Sequence, residues 1–264
     1  MHIIETFLQS KFGKPEQSED GFILTKDFAA VVDGCTSLST SEAHSGRIAM
    51  EIVVAALKCM PANIDKLGML AWLTDEFIGI GAASATIFSL QRRVVWLVGD
   101  CKCRFAGKTY TNEKLIDRIL SEVRGDVIRE FLRRGVSAED IRHSDPGRTF
   151  IFEFLMEQRH FQNDTNRENF YRYPILDGNE IDSTLVPEIS VPEECDELVL
   201  ASDGYPKLFD TLSESEAELT RLLETDPLCI GENAGTKGLM HSQISYDDRC
   251  FLRVGGLSLH KNSL

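Results

Sequence analysis

Three apolar runs in this chain each finish on an aspartate: FAAVVDG (28–34), VVWLVGD (94–100) and ELVLASDG (197–204), ending with Asp33, Asp100 and Asp203. Their β-branched and aromatic residues, bounded by Gly, Asp or Lys, mark each run as a strand. A carboxylate at a buried strand end is destabilising unless it is paired or holds a cation. A fourth acidic site, Asp247 with Asp248, stands just before another strand-like run, RCFLRV (249–254). One Asp-Gly alone reads as a turn. Repetition after apolar strands points instead to a hard-cation site, because magnesium and manganese take oxygen ligands and keep several of their waters.

Further strands are expected over GFILT (21–25), SATIFSL (84–90) and CRFAG (103–107). Only Gln91, Arg92 and Arg93 separate SATIFSL from VVWLVGD, so these two form a hairpin and part of the sheet is antiparallel. Helical spacing places Ile48, Ile52, Ala55, Ala56 and Cys59 on one stripe of 41–60, capped by Thr40 or Ser41 and ended by Pro61. It places Leu67, Leu70, Ala71, Leu73 and Phe77 together on 64–78, and Leu115, Ile119, Val123, Val127 and Phe131 together on 112–134. The last helix is expected over 213–224, with acidic residues at its start as the macrodipole favours. Hairpins with helices between them give an α+β arrangement. One domain over 1–264 is expected, with an irregular insertion or flap around 108–195 that is least regular over 143–195.

The 264 residues can bury a large core, and 42 Asp and Glu against 28 Lys and Arg give a formal charge of -14. Such a surface repels polyphosphate backbones, so no nucleic acid partner is expected. The start shows no secretory leader, and the apolar runs are too short to span a bilayer. Seven cysteines without a framework suggest reduced thiols, so a cytoplasmic location and no membrane association are expected. His44, His143, His160 and His241 have no zinc-type spacing and read as loop or surface residues. There is no glycine-rich phosphate loop followed by Lys-Ser/Thr.

Four motifs together resemble the type 2C (PPM) family of metal-dependent serine/threonine phosphatases, in its order and over nearly the whole chain. SEDGFILTKDFAAVVDG (18–34) resembles the opening acidic dipeptide, strand and Asp-Gly motif. SATIFSLQRRVVWLVGDCKCRFAG (84–107) resembles the small-residue hairpin and Gly-Asp-Ser-Arg motif. ELVLASDGYPKLFD (197–210) is similar to the Leu-Ala-Ser-Asp-Gly motif, and SYDDRCFLRV (245–254) to the closing acidic pair and strand. The resemblance implies a four-layer αββα sandwich of two mainly antiparallel sheets flanked by helices, with metals at one edge. It implies Mg2+ or Mn2+, two ions with a possible third. Asp33 would bridge the two main ions, the Gly34 carbonyl would ligate the second, and Asp203 and Asp247 would complete the first. Asp100 would support the third ion; Glu19, Asp20 and Asp248 would act behind the ligands. The implied reaction is hydrolysis of a phosphomonoester, phosphoserine or phosphothreonine of a phosphoprotein substrate, by a water activated between the ions.

The chain departs from the pattern in places. Pro15 stands where the family carries a phosphate-holding arginine, which leaves the adjacent Lys14 as the candidate phosphate ligand. Cys35, Thr36 and Ser37 follow the first Asp-Gly where relatives carry His or Met, and Cys101 and Lys102 replace the usual Ser and Arg. Cys35 has no basic partner beside it and reads as a packed side chain. Asp145 and Arg148, in the irregular stretch, are candidates on composition alone for reaching the site from a flap. An alternative from another class is an inactive pseudophosphatase serving as a regulatory binding module. Another keeps the metals but takes a small phosphorylated metabolite. Metal-dependent turnover separates the first, and a substrate panel the second.

Overall fold

In the computed structural model, which describes residues 1–35, 45–77 and 81–258, alternation along the strands sorts the core into layers. The elements run β1 (His2–Gln9), β2 (Asp20–Leu24), β3 (Phe28–Cys35), α1 (Ser45–Cys59), α2 (Lys66–Glu76), β4 (Ala82–Ser89) and β5 (Val94–Val98). They continue with β6 (Lys102–Phe105), β7 (Lys108–Tyr110), α3 (Leu115–Arg133), α4 (Ala138–His143) and α5 (Pro146–Glu157). The chain then forms β8 (Glu188–Ser190), β9 (Glu197–Ala201), α6 (Leu212–Thr225) and β10 (Arg249–Gly255). One sheet has the order β2-β3-β4-β5-β8 and the other β1-β10-β9-β6-β7, five strands each, with every pairing antiparallel.

On β3, Ala29 and Val31 face the second sheet, meeting a layer that includes Leu97, Leu198, Leu200 and Leu252. Phe28, Ala30 and Val32 point the other way, into a layer shared with Val53, Leu57 and Leu73 of α1 and α2. The second sheet repeats this: Val199, Ala201 and Phe251 turn outward onto Leu219 and Leu222 of α6. The period-two side-chain geometry of strands thus produces the expected αββα order. Among the described residues no helix is long and apolar enough to cross a membrane.

Several sequence expectations need correction. The buried stripe of α1 is Gly46, Ala49, Met50, Val53, Ala56 and Leu57, while Ile48 is 40% exposed. Its rotation is set by Gly46, where a Cβ would fall 2.6 Å from the Gly34 carbonyl oxygen; a Cβ on Gly34 would in turn meet the Gly46 oxygen at 2.0 Å. Helix and strand ends pack backbone on backbone there, which a count of apolar residues cannot register. On α2, Leu67 is exposed and Met69, Leu70 and Leu73 are buried. On α3 the buried face is Leu120, Ser121, Arg124, Gly125 and Ile128, with Val123 outside. A fully buried arginine at its centre disguises that stripe. The stretch expected to be irregular contains α5, started by Asp145 as cap (Oδ1 accepts from the Arg148 amide, 2.8 Å) with Pro146 in the first turn. That Asp-Pro pairing is a helix-start signal in the sequence. Strands β1, β7 and β8 are additional to the expected set; all three are at sheet edges and have no long apolar run. Thr40 and Ser41, the proposed caps of α1, lie outside the described residues, as do Thr36, Ser37 and His44.

Candidate metal centre

The two sheets bring their acid-terminated strands to one edge. Asp33 lies two residues before the end of β3 at Cys35, Asp100 follows β5, and Asp203 follows β9 in the other sheet. One carboxylate oxygen from each of these three residues lies within 4.8 Å of the others. Asp20, at the start of β2, is directly opposite Asp33 in the strand register. It is 1% exposed, and its Oδ2 atom has no hydrogen-bond partner. The Ser202 hydroxyl lies near its carboxylate, and the hydroxyl oxygen accepts from the Cys250 amide at 2.9 Å. Glu19 and Gly34 are linked through their backbones, Gly34 N–H donating to the Glu19 carbonyl at 3.1 Å. Gly204 follows Asp203 in close contact with the next acidic pair, because a Cβ there would lie 1.9 Å from the Asp248 carbonyl oxygen.

Asp248 is a buried clamp. Its Oδ1 accepts from the Lys11 amide at 2.9 Å and its Oδ2 from the Glu19 amide at 2.7 Å, fixing the exit of β1 and the entry of β2. Asp247, beside it, lies outside the close trio and is held by amines: Lys11 Nζ at 3.2 Å on Oδ1 and Lys237 Nζ on Oδ2. Asp100 is likewise occupied, with the Ser84 hydroxyl 2.7 Å from Oδ1 and Lys114 Nζ 2.8 Å from Oδ2. Asp33 and Asp203 have no ion-pair partner among the described residues. Lys14, the sequence candidate for phosphate, is exposed, and its amide donates to the Ser10 hydroxyl at 3.2 Å. The amines on the wall of the adjoining cleft are Lys102, Lys114 and Lys237; the cleft has a volume of about 350 Å³ and also includes Asp100, Asp203 and Asp247. No motif spacing marks Lys11, Lys114 or Lys237, since each comes from a different connection. Lys102 was visible as a motif residue, and its buried Nζ donates to the Tyr205 and Pro206 carbonyls at 2.6 and 3.1 Å, pinning the turn after Asp203.

Charge and burial divide these acids. Burial, followed by the charge of neighbouring carboxylates, pushes Asp33 well above the usual range. Asp20 is raised mainly by burial too, against the lowering effect of Ser202. Asp203 is pushed up to about 7, by desolvation first and then by Asp100 and Asp247. The residue is exposed to solvent, so water screens this shift and its effect on stability is smaller than for the less exposed Asp33. The amine-held acids go the other way despite burial: Asp100 is lowered by Lys114, and Asp247 is lowered to about 2 by Lys237 and Lys11. Cys35 and Cys101 are raised by burial and then by the charge of Asp33, which disfavours a thiolate nucleophile.

A raised carboxyl binds more protons folded than unfolded, so its contribution to stability is present below about pH 4 and disappears as pH rises through its folded value. For Asp203 that window runs from about pH 4 to about 7. Asp247 acts oppositely, and only as pH falls below about 4 toward 2. Metal-free protein is therefore expected to melt at a lower temperature at pH 8 than at pH 5. Thermal denaturation in EDTA across that range checks this, and a melting temperature that climbs with pH would refute the like-charge reading.

A hard divalent cation fits this donor set. The three gathered ligand atoms are all oxygens, two of the acids have no internal counter-ion, and Asp20 presents a buried, unpartnered oxygen. Asp145 and Arg148 do not enter the trio. Asp145 is buried against Arg124, while Arg148 Nη1 donates to the Thr236 carbonyl at 2.9 Å.

No protein-family model and no curated protein matches the chain. Among solved structures it is similar to the serine/threonine phosphatase Stp1 from Staphylococcus aureus, at 12% identity and TM-score 0.47, over 97% of this chain and 95% of that one. It is also similar to the Mycobacterium tuberculosis serine/threonine phosphatase PstP/Ppp, at 14% identity and TM-score 0.44, over 96% and 98% of the two chains. A third is the PPM Ser-Thr phosphatase MsPP from Mycobacterium smegmatis in complex with cacodylate, at 13% identity and TM-score 0.44, over 97% and 99%.

Proposed function

We propose that this chain is a Mg2+- or Mn2+-dependent phosphatase that hydrolyses phosphomonoesters, with phosphoserine or phosphothreonine of proteins as the substrate class. The observation that carries the reading is the trio Asp33, Asp100 and Asp203, drawn from both sheets, with donor oxygens within 4.8 Å. Asp33 and Asp203 are assigned as the principal holders of two cations, with the Gly34 carbonyl and Asp247 completing the set and Asp100 supporting a third. Asp20 and Glu19 stand behind them, and Asp248 fixes the backbone that presents them. Bound there, the cations supply an activated water and neutralise the charge of the phosphoryl group.

The protein's own groups do the rest. Ser84 and Lys114 orient Asp100, and Lys102 holds the turn that presents Asp203. Lys237 and Lys114 face the cleft and are assigned to phosphate binding in place of the arginine replaced by Pro15; Lys14 remains a candidate at the exposed approach. The residues around 108–195, α3 and α5 included, are read as a flap within a single domain. A regulatory module with no use for metal would gain nothing from Asp33 and Asp203 held without counter-ions, since unpaired carboxylates in a protein edge are destabilising.

The test is hydrolysis of p-nitrophenyl phosphate in EDTA, Mg2+ and Mn2+, followed by a panel of phosphopeptides against sugar and nucleotide phosphates. Turnover that requires the metal is expected, with phosphopeptides preferred. Folded protein inactive with every metal would sink the enzyme reading and favour the regulatory module. Preference for small phosphates would move the substrate class.

A further inference from the structure

The second sheet presents two of the acids from beyond its own ladder. The last pair of β9 with β10 is Ala201 opposite Phe251, whereas Asp203 and Asp247 lie further out on each side. Backbone contact carries the two segments a little further. Ser202 N–H donates to the Cys250 carbonyl at 3.1 Å, and Gly204 packs against the Asp248 carbonyl. Past that point they are joined through a side chain of α6. Tyr205 and Arg249 each stand two residues after one of the acids, and both reach Glu216.

The Glu216 carboxylate takes three hydrogen bonds from them. Oε1 accepts from the Tyr205 hydroxyl at 2.6 Å and from Arg249 Nε at 2.8 Å, and Oε2 accepts from Arg249 Nη2 at 3.1 Å. Tyr205 is 0% exposed and Arg249 8%, so water is a poor substitute for this partner. The Arg249 guanidinium lies 5.1 Å from the Phe7 ring centre, and its buried Nη1 has no hydrogen-bond partner. Glu216 is therefore its one anion among the described residues. Two-pronged pairing of a guanidinium with a carboxylate fixes geometry as well as adding energy. Glu216 is not among the residues that wall the cleft, so it acts on the acids only through Tyr205 and Arg249.

Metal ligands must be placed to within about 0.2 Å of bonding distance, so a tie between the segments that present two of them bears on how tightly an ion is held. We propose that Glu216 is a positioning residue of the acid centre, setting the separation of Asp203 and Asp247 by gripping Tyr205 and Arg249 from α6. The inference rests on the reading above, in which these two acids hold cations. Loss of the grip weakens metal binding and leaves the chemistry at the occupied centre intact.

Mn2+ binding to the full chain, followed without substrate by the electron paramagnetic resonance signal of the free ion, tests this. Glu216→Ala is expected to bind Mn2+ about tenfold more weakly than wild type, the lower end of the range for outer partners of metal ligands. Glu216→Gln keeps an acceptor for Tyr205 and should lose less, so the comparison survives if the alanine variant does not fold. Tyr205→Phe should weaken binding on its own but no further when added to Glu216→Ala, since both remove one contact. Leu222→Ala, on the buried face of the same helix, controls for a loosened α6. It should lower the melting temperature and leave Mn2+ affinity at the wild-type value. In hydrolysis, the Glu216 variants should need more Mn2+ for half-maximal turnover and reach the wild-type rate at saturation. Equal Mn2+ affinity in wild type and the folded Glu216 variants would overturn the inference and leave the cation reading standing. An equal loss of affinity in Leu222→Ala would do the same. A wild type that binds no Mn2+ would remove the cation reading, and the inference with it.

Discussion

Asparagine at position 33 is expected to abolish metal-dependent hydrolysis and, at the same time, to make the metal-free protein harder to unfold. The first effect follows if Asp33 holds the cations: losing that carboxylate should lower turnover by about a thousandfold or more, about 4 kcal/mol of barrier. The second follows from the crowding of charge. Burial and the carboxylates of Asp20, Asp203, Asp100 and Asp247 all oppose ionisation of Asp33, so a neutral isostere relieves the fold at neutral pH. The gain should be on the order of 1 kcal/mol, or roughly 3 °C in melting temperature for a protein of this size. Asp203→Asn should behave in the same direction. Melting in EDTA and again with Mn2+ reads both effects. Wild type should rise with metal, and the variants should start higher and rise less. A variant that is inactive but less stable than wild type in EDTA would indicate a structural role for Asp33 and remove it from the ligand set.

Removing Asp145 is expected to produce the largest loss of stability outside the sheets. Arg124 is 0% exposed, and its guanidinium makes four hydrogen bonds. Nε and Nη2 donate to Asp145 Oδ2 at 2.9 and 2.7 Å, and Nη1 donates to the carbonyls of Cys229 and Gly235 at 3.2 and 3.0 Å. This one side chain joins α3, the start of α5 and the loop that continues to Lys237. Asp145→Ala leaves a buried cation without its anion and also removes the cap of α5, so about 3–5 kcal/mol should be lost. Urea unfolding should show the midpoint falling with an unchanged slope. Replacing both partners, Arg124→Met with Asp145→Asn, should recover part of the loss and no more, because the Cys229 and Gly235 carbonyls lose their donor. A loss below about 1 kcal/mol for Asp145→Ala would mean that the pair contributes no more than a surface ion pair.

Much of the architecture could be read from residues close together in the chain. The apolar runs 21–25, 28–34, 84–90, 94–100, 103–107, 197–204 and 249–254 all contain strands, and the three-residue link at 91–93 joins an antiparallel pair. Those features depend on local periodicity and turn length, which the sequence displays directly. The acids at the strand ends were visible for the same reason: an aspartate after an apolar run stands out without knowledge of what faces it. The rotations of α1 and α3 were not visible. They depend on Gly46 meeting Gly34 and on Arg124 finding Asp145 and two carbonyls, and a glycine or an arginine is no sign of burial until its partner is known.

The sequence by itself determined the seven apolar strands, the α+β class and the aspartates at or just after three of those strands, because each follows from periodicity or turn length within one or two neighbouring segments. Only the tertiary structure decided which acids remain without a counter-ion and which are neutralised by Lys11, Lys114 and Lys237, and that Glu216 joins Tyr205 to Arg249. Those outcomes depend on distances between segments far apart in the chain, and electrostatic energy is set by distance and burial rather than by spacing along the sequence.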